Sequence, residues 1–447
     1  MLSRRGFIRA GAATVGTLAL RPFGLLPALA QSSANYRALV CVFLFGGNDS
    51  NNTVIPMDDA SYQAYTSIRG SLALSASELT PTVYSVSNAP FAFHGKLAEV
   101  ASMFSSKELA VVANTGSLVQ PLTRSQYQGS QAPIPLNLFS HSDQQLQWQT
   151  SIAQGNSPTG WAGRAADYLN SQKINSSNFP AFLSVAGNSL EGQGAATQPV
   201  AIAPGKSLTL KGFNGSAVSQ ARLNALTSLL TTDNGLSLVQ AANNTMANSQ
   251  ADAAALEAAL SKTTPMKTQF PTSSLGAQLQ QVAQIIQVQS YLGMSRQIFF
   301  CSLGGFDTHA GELEAHNNLY PQLSQALAAF YAATEELGMA ENVTTFTESD
   351  FSRTFQPTTT DGSDHAWGSH HLVLGGAVKG GQIYGQFPTF ELSGPNDTDT
   401  RGRWIPTTSV DQYGATLCSW FGIPDTALAA VFPNFTNFGS QKLDIFG

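Results

Sequence analysis

Five short runs, residues 38–45, 109–113, 182–185, 297–303 and 343–347, are apolar without the alternation of a half-exposed strand. Strands apolar on both sides must be covered on both sides, and most of these runs are separated by segments with helical periodicity. Helices are predicted over 97–105, 144–153, 161–169, 278–292, 312–337 and 410–421. In 278–292, for example, Leu279, Val282, Ile285, Ile286 and Leu292 fall on one face, as a core-facing helix requires. This alternation specifies an α/β fold, a mainly parallel sheet with helices on both faces. The stretch 187–271 departs from it. Rich in Ser, Thr, Ala and Gln and helix-prone around 251–260, it reads as a helical insertion beside the sheet of a single domain spanning 31–447.

Three of the strands end in carboxylates. The first runs into Gly46-Gly47-Asn48-Asp49, the fourth into Gly304-Gly305-Phe306-Asp307-Thr308-His309, and the fifth into Glu348-Ser349-Asp350-Phe351-Ser352-Arg353. In a parallel sheet the C-terminal strand ends share one rim, where ligands bind, so acids distant in sequence can meet there. The paired glycines permit tight turns and close approach of backbone. Histidines accumulate in the same regions: His309 beside Asp307, and His365, His370 and His371 after Asp364. Mixed Asp and His ligands suit zinc, manganese or iron, and an oxygen-rich subset suits magnesium or calcium. The expected ligands of one or two divalent ions are therefore Asp49, Asp307, His309, Asp350, Asp364, His365, His370 and His371. Isolated, each histidine would more simply hydrogen-bond locally; His94 and His316, without an acidic strand end before them, are read that way.

Ser140-His141-Ser142-Asp143 opens the helix at 144–153. Ser140, with His141 beside it, is a candidate nucleophile, because a helix N-terminus and a nearby cation favour its alkoxide. The spacing to Asp143 equally reads as a helix cap. Ser50 and Thr123 are weaker candidates. Arg353 either holds an anionic oxygen bidentately or pairs with a carboxylate. Trp148, Trp161 and Trp404 read as packing residues, and Asp411 as the cap of the last helix.

The N-terminus constrains location. Arg4-Arg5, an apolar stretch and Ala28-Leu29-Ala30 follow one another in the order of a twin-arginine secretion signal over residues 1–30, with the twin-arginine translocase as the partner during export. A periplasmic or secreted product without a stable membrane anchor is expected. Only 11% of the residues are charged and the net charge is −6, which excludes a basic nucleic-acid footprint. Cys41, Cys301 and Cys418 lie in apolar segments and are expected as buried free thiols, with one disulfide as the alternative.

The Arg-Arg leader, Phe43–Asp49, Phe139–Gln144, Gly305–His309, Ser349–Thr354 and His370–Gly381 together resemble an exported bacterial family, domain-of-unknown-function family 1501, grouped with the alkaline phosphatase and sulfatase superfamily. The resemblance implies a three-layer α/β/α sandwich, a metal site at the strand ends and hydrolysis of phosphate or sulfate esters. It implies metal-ligand roles for Asp49, for the pair Asp307 and His309, and for Asp364 with His365. The family usually has Glu in place of Asp350 and Gly in place of Ser352 and Ala366, so a carboxylate one methylene shorter is expected here either to lose a ligand or to reshape the metal site. The rival expectation is a non-catalytic exported protein that keeps the fold and binds a partner in an envelope or extracellular assembly.

Overall fold

The computed structural model describes residues 35–206, 208, 215–232 and 235–447; the leader expected over 1–30 lies outside them. In chain order the described elements are β1 (Arg37–Phe45), β2 (Val54–Pro56), α1 (Asp59–Arg69), β3 (Val83–Tyr84), β4 (Pro90–Phe93), α2 (Ala98–Ser105), β5 (Leu109–Gly116), α3 (Arg124–Gln128), α4 (His141–Thr150), α5 (Trp161–Ser171), β6 (Phe182–Ser184) and β7 (Val200–Ala201). There follow α6 (Ala217–Leu230), α7 (Ser237–Leu260), α8 (Ser274–Gln287), β8 (Arg296–Gly304), α9 (Glu312–Glu336), β9 (Val343–Ser349), β10 (Ser369–Leu374), β11 (Ile383–Gly385), β12 (Thr408–Ser409), α10 (Val410–Phe421) and α11 (Asp425–Val431).

The main sheet runs β11-β5-β10-β9-β1-β8-β6-β7, with β12 beside β5. Every described pairing in it is parallel except those of β10, which runs antiparallel to β5 and β9. The five predicted strands are present, and helices cover both sheet faces, as a mainly parallel α/β/α sandwich requires. β10 has no counterpart in the sequence reading: its Ser-His-His start lacks the apolar continuity of the others, yet all six residues are buried. A small antiparallel sheet, β2-β4-β3, lies apart.

Local chemistry sets several boundaries. Ser409 caps α10 in a capping box with Gln412, so the cap expected of Asp411 belongs to its neighbour; Asp411 instead accepts from the Asn434 amide. Gly422, at φ 113°, ends that helix in the left-handed region. Within 187–271 the turn Leu190–Gly192 and β7 join the sheet side, while α6 and α7 carry most of the exposed apolar side chains. Cys41, Cys301 and Cys418 are buried free thiols. Among the described residues no helix is long and apolar enough to cross a membrane.

The register aligns the ends that matter. β1 lies between β8 and β9, with Phe45 opposite Gly304 and Leu44 opposite Ser349, so the turns after all three strands open on one rim.

Candidate functional site

At this rim the backbone is packed too tightly for side chains. A Cβ on Gly46 (φ 113°) would stand 2.4 Å from the Asp307 amide nitrogen, and one on Gly47 (φ 81°) 2.4 Å from the Phe351 ring. The Gly-Gly pair thus lets the β1 turn press against the loops after β8 and β9.

Asp307 is the focus. Its Oδ1 lies 3.0 Å from Arg353 Nη1, 3.1 Å from His309 Nε2, and 3.4 Å from both His141 Nε2 and His365 Nε2. His309 Nε2 and His365 Nε2 are 2.9 Å apart. The ligand atoms of His141, Asp307 and His365 all lie within 4.8 Å of one another. Phe351 packs 4.8 Å from the rings of both His141 and His365.

The other nitrogen of each ring fixes the proton. His365 Nδ1 is 2.7 Å from the Phe139 carbonyl, His141 Nδ1 is 2.6 Å from Asp350 Oδ2, and His309 Nδ1 is 3.3 Å from Asp364 Oδ1. All three partners are acceptors, so Nδ1 carries the hydrogen and Nε2 presents its lone pair. Such outer acceptors are how metal-binding imidazoles are oriented. Three lone pairs and a carboxylate facing each other at these distances make a donor set for a cation, beside the Arg353 guanidinium that already pairs with Asp307. His141 Nε2, buried without a hydrogen-bond partner, makes the same point. The residues fit a divalent ion held by His141, Asp307, His309 and His365.

The electrostatics agree. Burial acts to raise the Asp307 pKa, but the hydrogen bond and charge of Arg353 and the imidazoles outweigh it and hold the carboxyl below its usual range. The Asp350 hydrogen bond raises His141, while burial lowers His365.

The remaining expected site residues are placed differently. Asp350 is fully buried; Oδ1 accepts from the Gly46 amide at 3.1 Å and Oδ2 from Gln145 at 2.8 Å as well as from His141. Its place is behind His141 and outside the group of converging ligand atoms. Asp364 stands likewise behind His309 and is ion-paired with Arg401. We expect Asp350→Ala to weaken metal affinity about 10–100-fold by freeing the His141 ring, measured by competition with a chromophoric chelator; unchanged affinity would remove Asp350 from this role.

Asp49 is not in the cluster. It is buried against Arg69 (2.5 Å), which also pairs with Glu312 at 3.1 Å, and these two acids with His316 form a separate buried group. The first-strand ligand implied by the resemblance is thus neutralised by an arginine at the end of α1. Of the two roles expected of Arg353, the structure has the pairing with a carboxylate and not the anion-holding one: fully buried, it bonds Asp307, the Gly46 carbonyl, and the hydroxyl and carbonyl of Ser363, which positions Asp307 and turns the guanidinium away from solvent.

His370 and His371 lie inside β10, beneath the rim. Nδ1 of His370 accepts from the Asn114 amide at 2.9 Å, and His371 packs 4.7 Å from Trp148 and stacks on Tyr413. Burial lowers both to about 3, as for neutral core imidazoles. We expect His371→Ala to leave metal content unchanged while costing about 2–4 kcal/mol of stability, by analogy with other large-to-small core substitutions; elemental analysis with denaturant unfolding checks both, and a lost ion would restore His371 as a ligand.

Ser140 is the N-cap residue of α4, but its hydroxyl donates to Asp143 (2.6 Å) and makes no cap bond. Ser50 is buried against Ser352, and Thr123 caps α3. Among the described residues none of these hydroxyls contacts Asp307 or its imidazoles. Sequence reasoning missed Arg69, Gln145, Glu312, Ser363 and the Phe139 carbonyl. For Phe139 the signal is conformational: φ is +70°, rare for a bulky residue, and this aims its carbonyl at His365.

No curated protein matches this chain in sequence. Among solved structures it is similar to Ps i-CgsB in complex with k-i-k-neocarrahexaose, with a TM-score of 0.34 and 8% identity over 89% of this chain and 76% of that one. The C-terminal periplasmic domain of EcEptC from Escherichia coli in complex with Zn gives 0.27 and 10% over 76% and 73%. The lipoteichoic acid synthase LtaP from Listeria monocytogenes gives 0.31 and 9% over 84% and 76%. A family model matches residues 36–414, and with that span the chain belongs to the family described as "Protein of unknown function (DUF1501)".

Proposed function

We propose that the chain is an exported metal-dependent hydrolase of phosphate or sulfate esters, with its ion at the rim. The observation that supports this reading best is the convergence of His141, His309 and His365 on Asp307, each imidazole oriented from behind by an oxygen acceptor. Three imidazoles and one carboxylate suit zinc, iron or manganese better than magnesium or calcium. Bound there, such an ion supplies Lewis-acid polarisation of an ester oxygen and lowers the pKa of a nearby water.

The chain's own groups do the positioning. Asp350 and Asp364 hold two imidazoles, Arg353 holds Asp307, and Phe351 packs against His141 and His365. Since the hydroxyls of Ser140, Ser50 and Thr123 are engaged elsewhere, water is the attacking nucleophile in this reading and Ser140 is not. In this reading anion binding, one of the two roles open to Arg353, falls to Arg401, whose side chain is 30% exposed beside Asp364. That none of these three hydroxyls serves as nucleophile also favours the rival reading, a metal-holding binding partner without turnover. A panel of phosphate mono- and diesters and sulfate esters, assayed on protein with its metal and after chelation, separates the two. Turnover lost with the chelator and regained with zinc or manganese is expected; metallated protein inert across the panel would overturn the hydrolase reading.

A further inference from the structure

A second cluster lies in the core and shares no residue with the rim. Cys41 on β1, Glu348 on β9 and Glu191 on the turn Leu190–Gly192 offer a sulfur and two carboxylate oxygens within 4.8 Å of one another. All three residues are at most 1% exposed. Both Glu191 oxygens and one Glu348 oxygen have no nitrogen or oxygen donor, although they are sealed from water; the weakly donating Cys41 thiol is the hydrogen that faces the two carboxyls. Among the described residues neither glutamate has an ion-pair partner, in contrast to Asp49 and Glu312, which share Arg69. The core therefore holds acceptors whose compensating charge no side chain supplies.

The turn is built to keep Glu191 there. Gln149 Oε1 on α4 accepts its amide hydrogen at 3.3 Å. Gly160, before α5, lies so close that a Cβ would stand 2.1 Å from the Glu191 carbonyl oxygen. Glu348 lies in β9, all seven residues of which are buried. Burial pushes Glu191 up to about 8 and Glu348 well above the carboxylate range, while burial and the two neighbouring acids push the Cys41 thiol up.

We propose that Cys41, Glu191 and Glu348 bind a second, buried divalent ion of the zinc class. Thiolate with carboxylate oxygen is a zinc or cobalt ligand set, at roughly 2.0–2.3 Å from the ion. Ligand atoms on such an ion stand about 3.3–3.8 Å apart, so closure needs small side-chain movements. Binding displaces the protons of the thiol and carboxyls and gives these oxygens the ion as partner. Being enclosed, the ion enters while the chain folds and ties β1, β9 and the turn together.

The test uses the full chain produced in cobalt-supplemented medium, with elemental analysis and near-ultraviolet absorption. We expect about two ions per chain and a thiolate-to-cobalt charge-transfer band, which the nitrogen and oxygen donors at the rim cannot give. A chelator should strip one ion from native protein and release the other only on unfolding. Asp307→Ala should keep the band and one ion; Cys41→Ser should lose the band, while Cys301→Ser and Cys418→Ser keep it. Because the band is read on the unaltered chain, a variant that fails to fold decides nothing against it. Folded wild-type protein without the band, together with metal-free Asp307→Ala protein, would show that the two glutamates are a protonated acid pair and overturn the site.

Discussion

Alanine at Asp307 should strip the rim ion and lower ester turnover at least about a hundredfold, since metal stabilisation of a transition state amounts to several kcal/mol and each 1.36 kcal/mol is tenfold. One carboxylate oxygen faces three imidazole nitrogens and Arg353 at 3.0–3.4 Å, so its loss removes the only anionic donor of the group. The fold should survive: the buried Arg353 keeps its bonds to Ser363 and to the Gly46 carbonyl, and Asp307 itself is half exposed. Asp307→Asn sharpens the reading. It retains an acceptor for Arg353 while removing the charge, so the asparagine variant should melt closer to wild type than the alanine variant does, yet both should lose metal. Elemental analysis, steady-state kinetics and thermal melts report these outcomes. Retention of both metal and turnover in the alanine variant would sink the assignment of the rim as the site.

The sequence makes the location of this site legible because it is a property of topology. Continuous apolar runs specify strands covered on both faces, Gly-Gly marks where they turn, and a parallel register brings Asp307 and Asp350 to one rim. Which polar residues face the cluster is a different matter, decided by side-chain direction and by partners far away in sequence. His370 and His371 follow Asp364-His365 closely, but β10 inserts antiparallel and takes both rings into the core. Asp49 is consistent with a ligand until Arg69, twenty residues on, reaches it; nothing local in α1 announces that its final arginine is fully buried. In sequence His141 belongs with Ser140 to a nucleophile motif, whereas the α4 N-terminus delivers the imidazole to the cluster and leaves the serine hydroxyl to Asp143. The Phe139 carbonyl, a backbone group, is invisible to any reading of residue types.

Beneath the rim, the largest stability effect is expected at Arg69. Its side chain is fully buried; Nη2 pairs with Asp49 and Glu312, and Nη1 donates to the carbonyls of Thr354 and Phe355 at 3.1 and 3.2 Å. Arg69→Met would leave two buried carboxyls without a cation, a loss of about 3–5 kcal/mol, or roughly 3–6 °C in melting temperature for a chain of this size. The pH dependence identifies the cause. Burial raises Asp49 to about 6 even though Arg69 opposes it; Glu312 adds to the rise, and without Arg69 the pKa climbs further above its unfolded value. A carboxyl raised on folding destabilises fully above its folded pKa, and that penalty fades as pH falls toward the unfolded pKa, because the folded state then holds the proton more tightly. The melting deficit relative to wild type should therefore be largest near pH 8 and shrink by pH 5. Adding Asp49→Asn to Arg69→Met should recover part of the loss, a coupling that independent sites would not show. A deficit that is the same at both pH values and additive with Asp49→Asn would mean that Arg69 contributes only by packing against Phe355, and that the buried charges are not what this part of the fold is built around.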